Sequence, residues 1–273
     1  MKQFIFLLLT IITTNIVSAQ EEKQLFFGVN VGTKLANKNY AGRYNGAYPY
    51  TSIQGSELYG VIMNSTINYQ HIYQALGDKN FALTADSYPT NVKYSPGILT
   101  GVTIGYQTGP NFQMSLDANF IKLKAKNAFT IEVYDPTNST SEPVIRLGEL
   151  YAEESRFDGR YNLDYVADGN GTVKFMMGIS GLFTAWRMDK FMAIFEGYQM
   201  PMFSVHNPTN NIYNKTRGTG WGGGINIGLE YKVNDKIIAQ ILYQPYQTKV
   251  NYGFTITKRL LIQHDFTVRL LWK

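Results

Sequence analysis

From Trp221 to Tyr231 the sequence reads Trp-Gly-Gly-Gly-Ile-Asn-Ile-Gly-Leu-Glu-Tyr. Because side chains alternate across a strand, this sends Trp221, Gly223, Ile225, Ile227, Leu229 and Tyr231 to one face, and Gly222, Gly224, Asn226, Gly228 and Glu230 to the other. An apolar face about ten residues long and bracketed by aromatic rings has the length of a tilted strand crossing a bilayer, and a face of glycine and polar residues suits a crowded interior. The last segment repeats the pattern, with Phe266, Val268, Leu270 and Trp272 opposed to Asp265, Thr267, Arg269 and Leu271. In lipid such strands satisfy their backbone groups only inside a closed sheet, so the alternation predicts a barrel.

The amino terminus agrees with export. Lys2 precedes an apolar run from Phe4 to Ile12, and Val17-Ser18-Ala19 before Gln20 has the small-residue form of a cleavage site. Residues 1–19 are therefore expected to be a signal peptide and 20–273 the mature barrel. The chain holds no cysteine, which excludes the small disulfide-stapled class. Charged residues make up 16% of the chain and aromatic residues 14%, with 20 Tyr and 16 Phe. Beyond the leader no continuous apolar stretch reaches the length of a membrane helix, and this favours alternating strands over a soluble secreted sandwich. A formal charge of +5 with no clustered basic face gives no reason to expect a nucleic-acid partner.

Three short polar segments stand between alternating runs: Thr108–Asn111, Arg187–Lys190 and Val233–Lys236. Taken as tight turns, they define strand pairs at 97–107 with 112–124, 172–186 with 191–205, and 221–232 with 237–247. A first strand at 25–35 and a last at 261–272 bring the expected number to eight. Alternation also continues within 127–165, at Phe129, Ile131 and Val133 and again at Tyr161, Leu163 and Tyr165. That segment either extends a hairpin beyond the membrane or raises the number to ten. The fold class is all-β, an antiparallel up-and-down transmembrane barrel with short turns at one end, long extracellular loops at the other, and both termini on the turn side.

With these strands and the terminal Phe266–Trp272 pattern, the mature chain resembles the small outer-membrane β-barrel proteins of Gram-negative bacteria, of the OmpA and OmpX type. The Gln after the cleavage site is similar to exported barrels of Bacteroidota, whereas the ending Trp272-Lys273 departs from the usual terminal Phe. The resemblance implies residence in the outer membrane and contact with its lipid. It also implies functions ranging from adhesion and anchoring, through subunits of secretion or assembly machines, to a few lipid-modifying enzymes.

An eight-stranded bore is nearly filled by side chains, so a general porin is not expected and function falls to the loops, the lipid-facing wall or a small lumen site. The segment 36–96 is far longer than a connection requires and rich in tyrosine, a residue that gives large amphipathic contact area. Tyr44, Tyr48, Tyr50, Tyr59 and Tyr73 are the candidate partner-binding residues, for a protein partner in an outer-membrane complex; rings that simply cap the barrel mouth are the alternative. For the enzymatic alternative, an acyl hydrolase or transferase, Ser204 and His206 share one strand face and are the only catalytic candidates. No cofactor and no metal site is expected: Asp164, Asp168 and Asn170 lack the spacing of a calcium loop, and Asp-Gly and Asn-Gly are ordinary turn formers. The phase of the strands turns Asp117, Glu196, Glu230 and Arg269 into the lumen, with Asn30, Ser115 and Asn226, and predicts an Arg269–Glu230 pair.

Overall fold

The computed structural model describes residues 24–47, 53–135, 137, 142–167, 171–202, 216–251 and 261–273. Its strands are β1 (Gln24–Leu35), β2 (Asn80–Ala82), β3 (Gly97–Gln107), β4 (Phe112–Tyr134), β5 (Val144–Val166), β6 (Val173–Phe195), β7 (Tyr198–Pro201), β8 (Arg217–Lys232), β9 (Ile237–Val250) and β10 (Leu261–Trp272). Eight of them close a ring in the order β4-β3-β1-β10-β9-β8-β6-β5, which returns to β4, and every neighbour is antiparallel. Closure removes the unpaired edges that an open sheet would present. The short strands β2 and β7 add to β4 and β6 outside the ring.

At one end the connections are short. Thr108 N–H donates to the Phe112 carbonyl at 2.9 Å. In the β8–β9 turn the Asn234 side chain accepts from the amides of Lys236 (2.9 Å) and Ile237 (2.8 Å). The start of β1 pairs with the end of β3, and the Lys273 amide donates to the Lys236 carbonyl at 2.9 Å, so the first and last described residues both lie at this turn end.

The outer wall is apolar. Phe27 and Val31 on β1, Val102 and Ile104 on β3, Leu116 and Phe120 on β4, Met177 and Ile179 on β6, Ile225 and Ile227 on β8, Ile241 on β9 and Val268 on β10 are all exposed. Such a continuous belt is incompatible with water and fits lipid. Stacked, edge-on or tilted ring pairs border it, Phe27–Trp272 and Phe112–Tyr165 towards the turn end, Phe120–Phe157 and Phe183–Trp221 towards the loop end.

The eight strands are not all those expected from the sequence. Arg187–Lys190 is no turn, because β6 runs through it from Val173 to Phe195, and the eighth barrel strand is β5 rather than 191–205. β4, β5 and β6 each have 23 residues, about twice what a bilayer crossing needs, and rise past the belt as a tall wall. The alternation noticed in 127–165 is this wall. At its level β6 carries a bulge, since Glu154 pairs with Met188 and Glu153 with Lys190, leaving Asp189 unmatched. A bulge shifts alternation by one residue. Leu182, Thr184, Trp186 and Met188 point inward before it, and Phe191, Ala193 and Phe195 after it.

The segment after β1 folds against that wall. Asn37, Ser56 and Ser65 cap helices at Lys38–Ala41, Glu57–Ile62 and Thr66–Ala75 by accepting the backbone amides of Asn39, Tyr59 and Asn68. Gly77 and Asp78, with φ of 71° and 59°, end the third helix in the left-handed region. Tyr40, Tyr44, Leu58, Ile62 and Ile72 from this cap meet Phe129, Ile131 and Leu150 of β4 and β5 and Phe191, Phe195 and Met200 of β6 and β7 in one hydrophobic core. Apolar burial of this kind drives folding in water, and the core stands beyond the lipid belt.

Candidate functional site

The bore beneath the cap is filled by a ladder of charged and amide side chains. Lys34, Arg156, Arg160 and Arg269 are buried within it, as are Asp117, Glu154, Asp158, Asp164 and Asp265. Lys34 pairs with Asp158 and Arg160 with Asp265. Arg160 also donates to the Gln244 Oε1 at 2.9 Å and lies 4.7 Å from the centre of the Tyr246 ring. Nearer the cap, Arg156 Nε donates to Glu154 Oε1 at 2.5 Å and its Nη1 to Gln263 at 2.9 Å. Nearer the turn end, Arg269 Nη2 donates to Asp117 Oδ2 at 2.5 Å, and Asn162 Nδ2 donates to the same oxygen at 2.9 Å. The Thr103 hydroxyl stands 2.7 Å from Asp117 and 2.8 Å from the Asn30 oxygen, able to donate to one at a time. Asp164 accepts from Asn226 at 2.7 Å, while its second oxygen has no hydrogen-bond partner among the described residues. A buried charge is tolerable only when it is paired and hydrogen-bonded, and all four cations meet that condition.

The cap closes the ladder at the loop end. The Tyr44 and Tyr94 hydroxyls donate to Glu154 Oε2 at 2.7 and 2.8 Å, and the Tyr40 hydroxyl donates to the Thr248 carbonyl at 2.6 Å. Burial pushes the Tyr94 hydroxyl well above the usual tyrosine range, and the Glu154 carboxylate adds to the shift. Burial likewise pushes the Glu57 carboxyl up to about 8, with Arg43 offsetting part of the shift. Arg43 itself is buried, 5.4 Å from the centre of the Trp186 ring. At the opposite end a cavity of about 280 Å³ opens among Lys174, Glu230, Lys232 and Lys273. Above it, Val166, Met176 and Leu242 pack together inside the barrel.

Of the residues singled out from sequence, Asp117 and Arg269 face the lumen and meet each other, and Asn30, Ser115 and Asn226 join the same network. Glu230 also turns inward but does not pair with Arg269. Gln240 stands between them in the same hydrogen-bonded row, and its amide donates to Glu230 at 2.9 Å. Glu196 is not in the lumen. The Asp189 bulge reverses the phase that had placed it there, and Glu196 (φ 47°) and Gly197 (φ 83°) form the exposed two-residue turn from β6 to β7. Tyr44 is buried in the cap core, and Tyr59 and Tyr73 pack against that core while staying partly exposed. Tyr48, Tyr50, Ser204, His206 and the leader 1–19 lie outside the described residues. Lys34, Glu154, Arg156, Asp158 and Arg160 were missed, and Asp265, though on the same strand face as Arg269, was not counted in the network. For the four on β5 the signal was present, since Glu154, Arg156, Asp158, Arg160, Asn162 and Asp164 recur at every second position.

A closed eight-stranded ring with an apolar outer belt and a charged, filled interior is a transmembrane β-barrel. No protein-family model and no curated protein matches the chain. Among solved structures it is similar to Neisserial surface protein A, with a TM-score of 0.45 and 10% identity over 93% of this chain and 99% of that one. It is also similar to outer membrane protein W of E. coli (TM-score 0.34, 10% identity, 93% and 100% covered) and to OprG of Pseudomonas aeruginosa (0.35, 9%, 93% and 97%). These likenesses are loose, and the class rests on the ring, the belt and the lumen of this chain.

Proposed function

We propose that this protein resides in the outer membrane as a sealed, non-enzymatic anchor that presents its folded cap to a protein partner in an outer-membrane assembly. The observation that supports the reading is the position of the cap core. It is built on the tall β4–β5–β6 wall, outside the lipid belt, and is tied to the lumen ladder through Tyr44, Tyr94 and Glu154. A wall three strands wide gives such a cap a rigid base, whereas a barrel serving only as a plug in the bilayer has no need of one. The occupied bore argues against solute passage as the main activity.

The test combines two measurements on the full chain. Reconstituted in planar bilayers it is expected to give no stable conductance step. Purified from its native membrane beside a version with residues 53–92 replaced by a short linker, it is expected to retain a stoichiometric protein that the shortened barrel loses. A steady open channel, or the same co-purifying proteins with and without the cap, would overturn the reading.

A further inference from the structure

Where the outer wall leaves the lipid belt, it becomes basic on one side only. On β4 the outward residue after Phe120 is Lys122; on β6, Arg187 follows Phe183 and Ala185; on β8, Arg217 lies beyond Trp221 and Thr219. Register makes these neighbours: Lys122 pairs with Ser155, Ser155 with Arg187, and Arg187 with Arg217, in one hydrogen-bonded row across four strands. Lys124 and Lys190 flank Glu153 in the next row. Continued the other way, the row passes from Lys122 to Ile98, Thr33 and Phe266, with no charge.

Two features of this row call for an anion. Like charges directly opposite each other on antiparallel strands destabilise the pair, yet Arg187 and Arg217 are so placed. Asp189 accepts from Arg187 Nε at 2.9 Å and Glu153 in the next row lies near Lys122, Lys124 and Lys190, but among the described residues Arg217 has no acidic neighbour in the row. Directly below, towards mid-membrane, the Phe183–Trp221 pair is followed by Gly181 opposite Gly223, both facing outward. A Cβ added at Gly181 would meet nothing within 4 Å, so packing within the protein does not demand a glycine there. The outcome is a shallow slot in an otherwise bulky belt, beneath a cluster of cations.

We propose that Lys122, Arg187 and Arg217 bind the phosphorylated headgroup of a lipid in the loop-side leaflet, whose acyl chain runs past Trp221 over Gly181 and Gly223. The inference rests on the transmembrane reading. Basic side chains at the membrane border attract anionic headgroups, and the slot gives the chain of such a lipid a place against the wall.

Trp221 lies inside this site and reports on it. In the Trp272→Phe background, with Trp186 buried in the cap core, the full chain is reconstituted into phosphatidylcholine vesicles containing a minor fraction of phosphatidic acid. Either the phosphatidic acid or an equal fraction of the phosphatidylcholine carries brominated acyl chains. Brominated phosphatidic acid is expected to quench Trp221 well beyond its share of the bilayer. The combined Lys122→Gln, Arg187→Gln and Arg217→Gln variant, verified as folded by its heat-modifiable gel shift, should lose about tenfold in this preference. Excess inorganic phosphate should not displace it. Equal quenching by both lipids, a preference unchanged in the variant, or complete displacement by phosphate would each overturn the lipid site while leaving the barrel in its membrane. Absence of quenching by any brominated lipid would overturn the transmembrane reading along with the site.

Discussion

The Tyr44 hydroxyl donates to the Glu154 carboxylate at 2.7 Å, so a residue of the cap helps neutralise a charge of the barrel. Glu154 also accepts from Tyr94 at 2.8 Å and Arg156 at 2.5 Å, so losing the Tyr44 hydroxyl leaves the carboxylate partly satisfied. Tyr44→Phe is therefore expected to loosen the cap by about 1.5–3 kcal/mol, the range for a hydrogen bond to a charged group, without unfolding the barrel. Hydrogen exchange at Ile72, whose side chain is buried in the cap core, should speed up while the β1 and β10 amides stay protected. Equal acceleration in cap and barrel would show that the two do not open separately.

Cap opening should also depend on pH, with a definite sign. Burial pushes the Glu57 carboxyl up to about 8, whereas in an opened cap it returns to the ordinary value of 4.5. The closed cap thus binds a proton more tightly than the open one. The contribution of Glu57 to closure is fully present below pH 4.5 and is lost as pH rises through about 8. Exchange at Leu58 and Ile62, corrected for the intrinsic pH dependence of exchange, is expected to accelerate over that window in the native chain. Glu57→Gln should flatten the profile, and a wild-type profile that is already flat would refute the assignment.

Strand alternation is a local property, and it revealed the barrel because Trp221–Tyr231 and Phe266–Trp272 carry it without interruption. The Arg187–Lys190 segment misled for an equally physical reason. Polar residues occur there because β6 leaves the lipid: Arg187 and Lys190 project outward above the belt, and the bulged Asp189 contacts Ser155 and Arg187. A strand emerging into water and a chain reversing direction draw on the same residue types, and only the pairing of β5 with β6 separates them. The tyrosines of the 36–96 segment announced order but not its purpose, since a ring that binds a partner and one that fills a core have the same composition. Among the lumen charges, inward phase could be read strand by strand. Which charges meet could not, because partners such as Arg160 and Asp265 come from strands far apart in sequence and are joined only by closure of the ring.

The bulge itself can be tested. Deleting Asp189 restores uninterrupted alternation in β6 while keeping Met188 opposite Glu154 and Lys190 opposite Glu153, so Phe191, Ala193 and Phe195 should still face the cap core. The heat-modifiable shift of the barrel and the protease resistance of the cap should both survive, because the deletion removes only the bulge and its contacts with Ser155 and Arg187. Asp189→Ala keeps the extra residue and removes only partly exposed contacts, so it is expected to change stability by under about 1 kcal/mol. A protease-sensitive, dye-binding cap in the deletion but not in the substitution would show that Phe191, Ala193 and Phe195 change face when the extra residue is lost, against this register.

Inside the bore, Asp117 and Arg269 are paired at 2.5 Å. Both are buried, and Arg269 has no other acidic partner within salt-bridge distance among the described residues. Arg269→Ala strands the Asp117 carboxylate with only Asn162 and Thr103 to stabilise it, and is expected to destabilise the barrel by about 3–5 kcal/mol. Asp117→Asn strands the guanidinium in turn. Made together, the two substitutions remove the charge pair as a unit, so the double variant should be more stable than the sum of the single losses predicts, by at least about 1 kcal/mol of coupling. Glu230 supplies the contrast: it accepts from Gln240 and not from Arg269, so Glu230→Gln and Arg269→Ala should be nearly additive. Urea unfolding in lipid vesicles, followed by the gel shift, measures all of these variants on one scale. Additive losses for Asp117 with Arg269, or strong coupling for Glu230 with Arg269, would mean that Arg269 draws its stabilisation in the lumen from a carboxylate other than Asp117.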